Sequence, residues 1–183
     1  MAPGGDMSVT RRVVLTGVES TGKSTLAPQL TAHFGGVLMP EYGRSWAERN
    51  GTDFSIAALR AIAAGHIAAS QELSAGQPHL IIEDTDVVMT SAWSIMLHGR
   101  RDPLLSAMPA TGDLYLLFRP DTPWIDDGTR MFGGDERTRF HNVVRDELDI
   151  RRITPVVIAG DWAARRAKAI TAIETLLATP TRA

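Results

Sequence analysis

Cysteine is absent from the 183 residues, which excludes disulfides, cysteine zinc sites and a thiol nucleophile and fits a reducing compartment such as the cytoplasm. Long apolar runs are missing as well. The first, after Arg12, is only Val13-Val14-Leu15, far short of a signal h-region or a spanning helix, so neither export nor membrane insertion is expected. Excess charge of one sign is lacking: a formal net charge of −2 gives no broad attraction for nucleic acid or an anionic membrane surface. The five histidines form no His-Glu-x-x-His spacing and read as structural or exposed. No repeat, low-complexity tract or interdomain linker interrupts the chain. With 44% hydrophobic side chains the length suits one core, so a single domain is expected over residues 11–178, between a flexible leader (1–10) and a short tail (179–183). A homo-oligomer is compatible with all of this.

What the chain does contain is a series of short apolar runs separated by helix-like stretches. Arg11 to Thr16 is β-branched and stops at Gly17; Ser24 to Phe34 then carries Leu26, Leu30 and Phe34 at helical spacing. Val37 to Met39 predicts a second strand, closed by Pro40, and the charged segment Glu41-Tyr42-Gly43-Arg44 reads as the turn after it. Ile56 to Leu73 is rich in helix formers and reads as helical, although Gly65 near its middle weighs against one straight helix. Leu80-Ile81-Ile82 is an uninterrupted apolar run of the kind buried on both faces of a parallel sheet, ending in Glu83-Asp84-Thr85-Asp86. Helix Val87 to Leu97, a basic turn Gly99 to Pro103, strand Leu114 to Phe118, a loop 121–135 containing Pro123, Gly128, Gly133 and Gly134, helix Glu136 to Leu148, strand Val156 to Ile158 and helix Trp162 to Leu177 complete the series. Five strands separated by helices predict an α/β fold: a doubly wound five-stranded parallel sheet with helices on both faces. Ligands of such sheets collect at the C-terminal strand edge, where Glu41–Arg44, Glu83–Asp86, Arg119 and Gly160-Asp161 would emerge.

Between the first strand and the first helix stands Gly17-Val18-Glu19-Ser20-Thr21-Gly22-Lys23-Ser24, followed by Thr25. Glycines at both ends let the backbone curl so that several N–H groups point inward, and the helix behind adds its positive end: a P-loop, the phosphate cradle of the P-loop NTPase fold. Lys23 supplies a mobile charge for the β- and γ-phosphates of ATP, and the Ser24 hydroxyl can enter a Mg²⁺ shell. Asp84, at the end of the third apolar run, fits the second carboxylate associated with the metal; its alternative is a helix N-cap. Asp86 stands in the same position of choice, with one acid able to cap and the other to coordinate.

A P-loop alone permits a kinase, a GTPase, a motor or a nucleotide-gated regulator. The guanine-reading Asn-Lys-x-Asp pattern is missing, because the two asparagines, Asn50 and Asn142, are not followed by lysine. Arg119, Arg130, Arg137 and Arg139 surround or lie within the Gly-rich loop, where closure can bring a guanidinium to the transferring phosphoryl group; this makes residues 121–139 a lid and Arg130 its preferred arginine. The alternative is a solvated basic loop pairing with Asp126, Asp127, Asp135 and Glu136. The size suits a small-molecule kinase better than a motor. A hydroxyl acceptor needs a base, and Glu41 is placed for it with Arg44 beside it, unless the two are merely a surface pair.

These segments resemble a known family, the ribosylnicotinamide kinase domain of bacterial NadR-type proteins, within the wider group of small AAA-type P-loop ATPases. The resemblance rests on Gly17 to Leu26, Glu41-Tyr42-Gly43-Arg44, Asp84-Thr85-Asp86 and Trp124-Ile-Asp-Asp-Gly-Thr-Arg130, whose order and spacing cover most of the chain. It implies a nucleoside-kinase-like fold and transfer of the ATP γ-phosphate to the 5′-hydroxyl of nicotinamide riboside, a small-molecule nucleoside. It also implies Mg²⁺, a lid around Trp124–Arg137, and an acceptor site drawing on Glu41, Tyr42, Arg44, Asp86, Trp124 and Asp127. The Gly160-Asp161 turn sits where related small kinases wrap the adenine, with Arg165 as a stacking candidate, although such turns also serve for capping alone.

The chain departs from the family in two respects. Family members often add an adenylyltransferase and a DNA-binding domain, for which these 183 residues have no room. Their nicotinamide ring stacks on aromatics before the Glu-Tyr-Gly-Arg motif and in the following helix, where Met39-Pro40 and the alanine-rich 61–73 stretch offer none. Tyr42, Trp46 and Trp93 are the candidates for a substitute ring face, against ordinary packing. Two other readings stand beside the kinase for nicotinamide riboside: an ATP-binding regulator without acceptor chemistry, and a kinase for another nucleoside or nucleotide.

Overall fold

The computed structural model describes residues 9–124 and 131–180. Five strands, β1 (Arg11–Thr16), β2 (Val37–Met39), β3 (Leu80–Asp84), β4 (Leu114–Phe118) and β5 (Val156–Ile158), form one parallel sheet in the order β2-β3-β1-β4-β5. Each returns through a helical crossover, as parallel pairing requires. The helices are α1 (Lys23–Phe34), α2 (Tyr42–Asn50), α3 (Ile56–Ala75), α4 (Val87–His98), α5 (Pro103–Ala107), α6 (Gly134–Ile150) and α7 (Trp162–Ala178).

Alternation along the central strands divides the core. Val13, Leu15, Leu116 and Phe118 face α1 and α7, while Val14, Tyr115 and Leu117 face α4 and α6. A third cluster, with Leu59, Ile62, Val87 and Leu105 fully packed, joins α3 to α4 and α5 beside the sheet. Burial on both faces is why these strands read as continuous apolar runs rather than alternating ones.

Two local expectations are corrected, and the helix expected over residues 56–73 is borne out. The segment after β2 is not a simple turn: Tyr42 already begins α2, and Glu41 is its N-cap residue. The basic turn after Gly99 leads into the short helix α5, whose N-cap Asp102 accepts from the backbone N–H groups of Leu104 and Leu105. Gly65 does not interrupt α3, which runs unbroken for 20 residues. A Cβ at position 65 would lie 2.3 Å from the Tyr42 hydroxyl, so the glycine makes room for Tyr42 on the α3 surface.

Candidate active site

At the C-terminal edge of β1 the chain turns through Val18 to Gly22 and enters α1. Thr21 Oγ1 and Lys23 Nζ both donate to the Val18 carbonyl, at 2.8 and 2.9 Å, which fixes the curl of the loop. Gly22 has φ +87°, and the Trp162 ring lies over it so closely that a Cβ would be 2.3 Å from the indole. No side chain caps α1 and its first turn holds no acid, so its leading N–H groups are left for an anion.

Ser24 Oγ donates to Asp84 Oδ2 at 2.6 Å, bringing the loop hydroxyl to the carboxylate at the end of β3. Asp84 is 4% exposed, and its Oδ1 has no hydrogen-bond partner among the described residues. A buried carboxylate oxygen without a donor, next to a hydroxyl, fits a hard divalent cation whose remaining ligands are phosphate oxygens and water. No cluster of three or more His, Cys, Asp or Glu able to hold a metal occurs among the described residues. Glu19 accepts from the N–H groups of Met131 and Phe132, at 3.2 and 3.5 Å, tying the phosphate loop to the chain just before α6. Burial raises the Glu19 pKa, partly offset by those two bonds and by Lys23.

Glu41 holds the N-cap position of α2 without making a side-chain cap bond, so its carboxylate is not spent on the helix. Burial raises its pKa, the Lys23 charge pulls it back down and the Asp84 charge pushes it up again; Arg44, 3.5 Å away, lowers it weakly. The two larger of these charges sit on Lys23 of the phosphate loop and Asp84 at the end of β3, and Glu41 lines the same cavity as Lys23.

One cavity of about 510 Å³ extends from Gly22–Thr25 past Glu41 to a wall formed by Tyr42, Phe54 and Trp93, with His66 and Asp86 also on its lining. Thr85 has φ +68°, an uncommon conformation for a β-branched residue, and its N–H bonds the Leu15 carbonyl at 2.9 Å. This kink separates the directions of Asp84 and Asp86. Asp86 caps α4 by accepting from Val88 N–H at 2.9 Å and takes the Tyr115 hydroxyl at 2.5 Å on its other oxygen. Burial raises the Asp86 pKa against the bond from Tyr115.

Residues 12–165 match the family described as AAA domain. The chain belongs to this family. Within the curated proteins it is 31% identical over 150 residues to the trifunctional NAD biosynthesis/regulator protein NadR of Escherichia coli K12, covering 78% of this AAA-domain chain and 37% of that protein. It therefore spans little more than a third of that relative's length. Among solved structures, a NadR protein in complex with NR superposes with TM-score 0.80 at 22% identity, over 97% of this chain and 54% of that one. The thymidylate kinase of Ehrlichia chaffeensis gives TM-score 0.58 at 18% identity, over 91% and 98%. These likenesses confirm the fold: a five-stranded parallel P-loop sheet with helices on both faces.

The structure brings Gly17, Glu19 to Thr25, Glu41, Tyr42, Arg44 and Asp86 onto one cavity, next to Asp84. Trp46 and Trp124 do not line it among the described residues: Trp46 packs in the third core cluster, and Trp124 lies under the Arg137 guanidinium at 5.6 Å. Asp127 and Arg130 lie outside the described residues. Arg137 is buried and donates to the carbonyls of Thr122 and Ser20 at 2.7 and 3.0 Å, fastening the base of the 121–139 segment to the phosphate loop. Arg139 pairs with Glu136 at the surface.

Asp161 caps α7 through Ala164 N–H, and Gly160 N–H donates to Asp121. Arg165 is corrected as a stacking candidate. It is 1% exposed, its edge donates to the carbonyls of Gly160, Thr21 and Arg119 and pairs with Asp121, and its face lies over the Trp162 ring at 5.8 Å, so it is not open to a base. Phe54 and the cavity position of His66 were not foreseen. Phe54 sits in a loop with no periodicity to betray it, and His66 occupies an alanine-rich helix face that looks like plain packing in one dimension.

Proposed function

We propose that the protein is a Mg²⁺-dependent kinase that transfers the γ-phosphate of ATP to the 5′-hydroxyl of nicotinamide riboside, yielding nicotinamide mononucleotide for NAD synthesis in the cytoplasm. The observation that carries the reading is the single cavity in which a phosphate loop, the Glu41 carboxylate, paired only at 3.5 Å with Arg44 and spared from capping its helix, and an aromatic wall follow one another. The likeness to NadR proteins, one of them solved with NR, supplies the acceptor. The missing ring-stacking positions are made good by Phe54 and Trp93, whose ring centroids are 6.2 Å apart, together with Tyr42.

In this reading the loop N–H groups, the α1 N-terminus and Lys23 hold the phosphates, and Ser24 and Asp84 hold the metal ion. When bound, Mg²⁺ neutralises charge on the β- and γ-phosphates. Glu41 accepts the proton of the attacking hydroxyl. Its burial keeps it more basic than an exposed carboxylate, which suits a base working near neutral pH. Asp86, both of whose oxygens are engaged, shapes the acceptor pocket rather than taking the proton. Arg130 and Asp127 of the lid, with Trp124, close over the reactants, and Gly160-Asp161 borders the adenine. The rate comes mainly from positioning and charge neutralisation.

Purified protein with Mg-ATP and a panel of nicotinamide riboside, common nucleosides and mononucleotides, read by product mass, tests the proposal. A phosphorylated nicotinamide riboside supports it; phosphorylation of another panel member alone replaces the acceptor, and tight ATP binding without acceptor-stimulated ADP release refutes a kinase.

A further inference from the structure

Glu19 is the one acid in the loop Gly17–Ser24, at a place where a side-chain charge opposes the ligand. An anion cradled by loop N–H groups uses the backbone there and has no need of a carboxylate. The carboxylate is committed elsewhere. Its Oε2 accepts from the N–H groups of Met131 and Phe132, at 3.2 and 3.5 Å, and no other bond to either N–H occurs among the described residues. Residues 131–133 form neither helix nor strand, so this bond is what holds their backbone ahead of α6.

The Phe132 ring carries the tie to the far end of the cavity. Its centroid lies 5.2 Å from that of Trp93, which lines the aromatic wall, and 5.3 Å from that of the fully buried Phe140. Trp93 and Phe140 are set on α4 and α6, whereas Phe132 has no helix of its own. The phosphate loop keeps separate anchors: Thr122 Oγ1 and the Arg137 guanidinium donate to the Ser20 carbonyl, at 2.6 and 3.0 Å. Truncating Glu19 therefore releases Phe132 while those bonds and the loop N–H groups stay.

We propose that Glu19 is a positioning residue for the acceptor: its carboxylate fixes Met131 and Phe132, and Phe132 braces Trp93 in the wall against which the acceptor's base lies. This rests on the kinase reading above and deepens it, since it makes a residue of the phosphate loop responsible for binding at the opposite end of the cavity. A ring wall binds a flat base best when it is rigid beforehand, because a loose ring must first be ordered by the ligand.

The experiment measures kcat and the KM values for nicotinamide riboside and for Mg-ATP in the wild type, Glu19→Ala, Glu19→Gln, Phe132→Leu and the Glu19→Ala/Phe132→Leu double variant. Glu19→Ala should raise KM for the riboside by about fivefold, the scale of two long hydrogen bonds to a charged acceptor, and by at least about threefold more than KM for ATP. Glu19→Gln keeps an oxygen for both N–H groups and should recover most of that loss. Phe132→Leu should show the same split, and the double variant should be little worse than the poorer single one, because both changes break one connection. If Phe132→Leu does not fold, the alanine and glutamine variants at position 19 decide by themselves. The inference is overturned, with the kinase reading intact, if KM for ATP rises as much as KM for the riboside in Glu19→Ala, if Glu19→Gln is as impaired as Glu19→Ala, or if the single effects multiply. A wild type that does not phosphorylate nicotinamide riboside overturns the kinase reading itself and this role of Glu19 with it.

Discussion

The two ends of the cavity are built from different material. At the phosphate end the groups that matter are consecutive: a loop from Gly17 to Gly22, the first amides of α1, and Lys23 and Ser24 beside them. At the other end, the acceptor end in the proposed reading, Tyr42 comes from α2, Phe54 from the loop before α3, His66 from α3, and Asp86 and Trp93 from the start and middle of α4. A phosphate is recognised by backbone N–H groups and a helix end, which any sequence with the right turn can provide. An aromatic base is recognised by side chains, which must converge from separate helices. The first kind of site tolerates change around it, and the second depends on how three helices pack.

The sharpest way to break the phosphate end is Lys23→Ala. It should lower kcat by about a hundred- to a thousandfold, with thermal unfolding little changed, because the half-buried side chain lines the cavity and donates to the Val18 carbonyl of its own loop. Steady-state kinetics and calorimetry on the same sample check it; an active variant would remove Lys23 from the machinery.

Glu41→Gln lies where the two ends meet. A loss of about a hundredfold in kcat is expected for a lost general base, together with loss of the acidic limb of the pH–rate profile. In the wild type that limb falls as pH drops through a value above the ordinary 4.5 of a glutamate, since burial raises the Glu41 pKa. The stability sign is opposite. A raised carboxylate contributes stability that is complete below the unfolded value and lost as pH rises through the folded one, so Glu41→Gln should melt higher than the wild type at about pH 8 and lose that advantage below 4.5.

Gly65→Ala probes the acceptor end through packing alone. In an exposed helix the change would stabilise by roughly 1 kcal/mol. Here the added Cβ would sit 2.3 Å from the Tyr42 hydroxyl, so the sign should reverse, with a loss of about 1–3 kcal/mol and a raised KM for the acceptor at unchanged KM for ATP. A stabilised variant with normal KM would show that Tyr42 has room to move.

Tyr115→Phe is the mildest test. It removes the hydroxyl that Asp86 accepts at 2.5 Å and should cost about 1–2 kcal/mol in chemical denaturation, with the acceptor KM affected more than kcat. Equal effects on both ends would mean that Asp86 acts on the phosphate side.

Much of this molecule was legible in one dimension. All five strands are where apolar runs of three to six residues indicate, and the crossovers between them left a parallel sheet as the economical arrangement. Helix α2 was hidden because Glu41-Tyr42-Gly43-Arg44 has neither helical apolar periodicity nor a favoured capping residue, and its Tyr42 and Trp46 find support only on the third core cluster. Arg165 looked free for a base because an arginine on an amphipathic helix is ordinarily solvated; the Asp121 carboxylate and the Thr21 and Arg119 carbonyls that engage it come from distant segments.

The amino-acid sequence by itself determined the phosphate loop, the sheet that carries it and the acids at the strand ends. Those features depend on neighbours in the chain: glycine torsions, strand length and helix periodicity. Only the tertiary structure decided that Ser24 meets Asp84, that Glu41 lines the cavity without capping its helix, and that Phe54, His66 and Trp93 stand around one cavity. The physical reason is that a hydrogen bond or a ring contact across tens of residues is set by the packing of α2, α3 and α4 on the sheet, and that packing leaves no periodic trace in the order of residues.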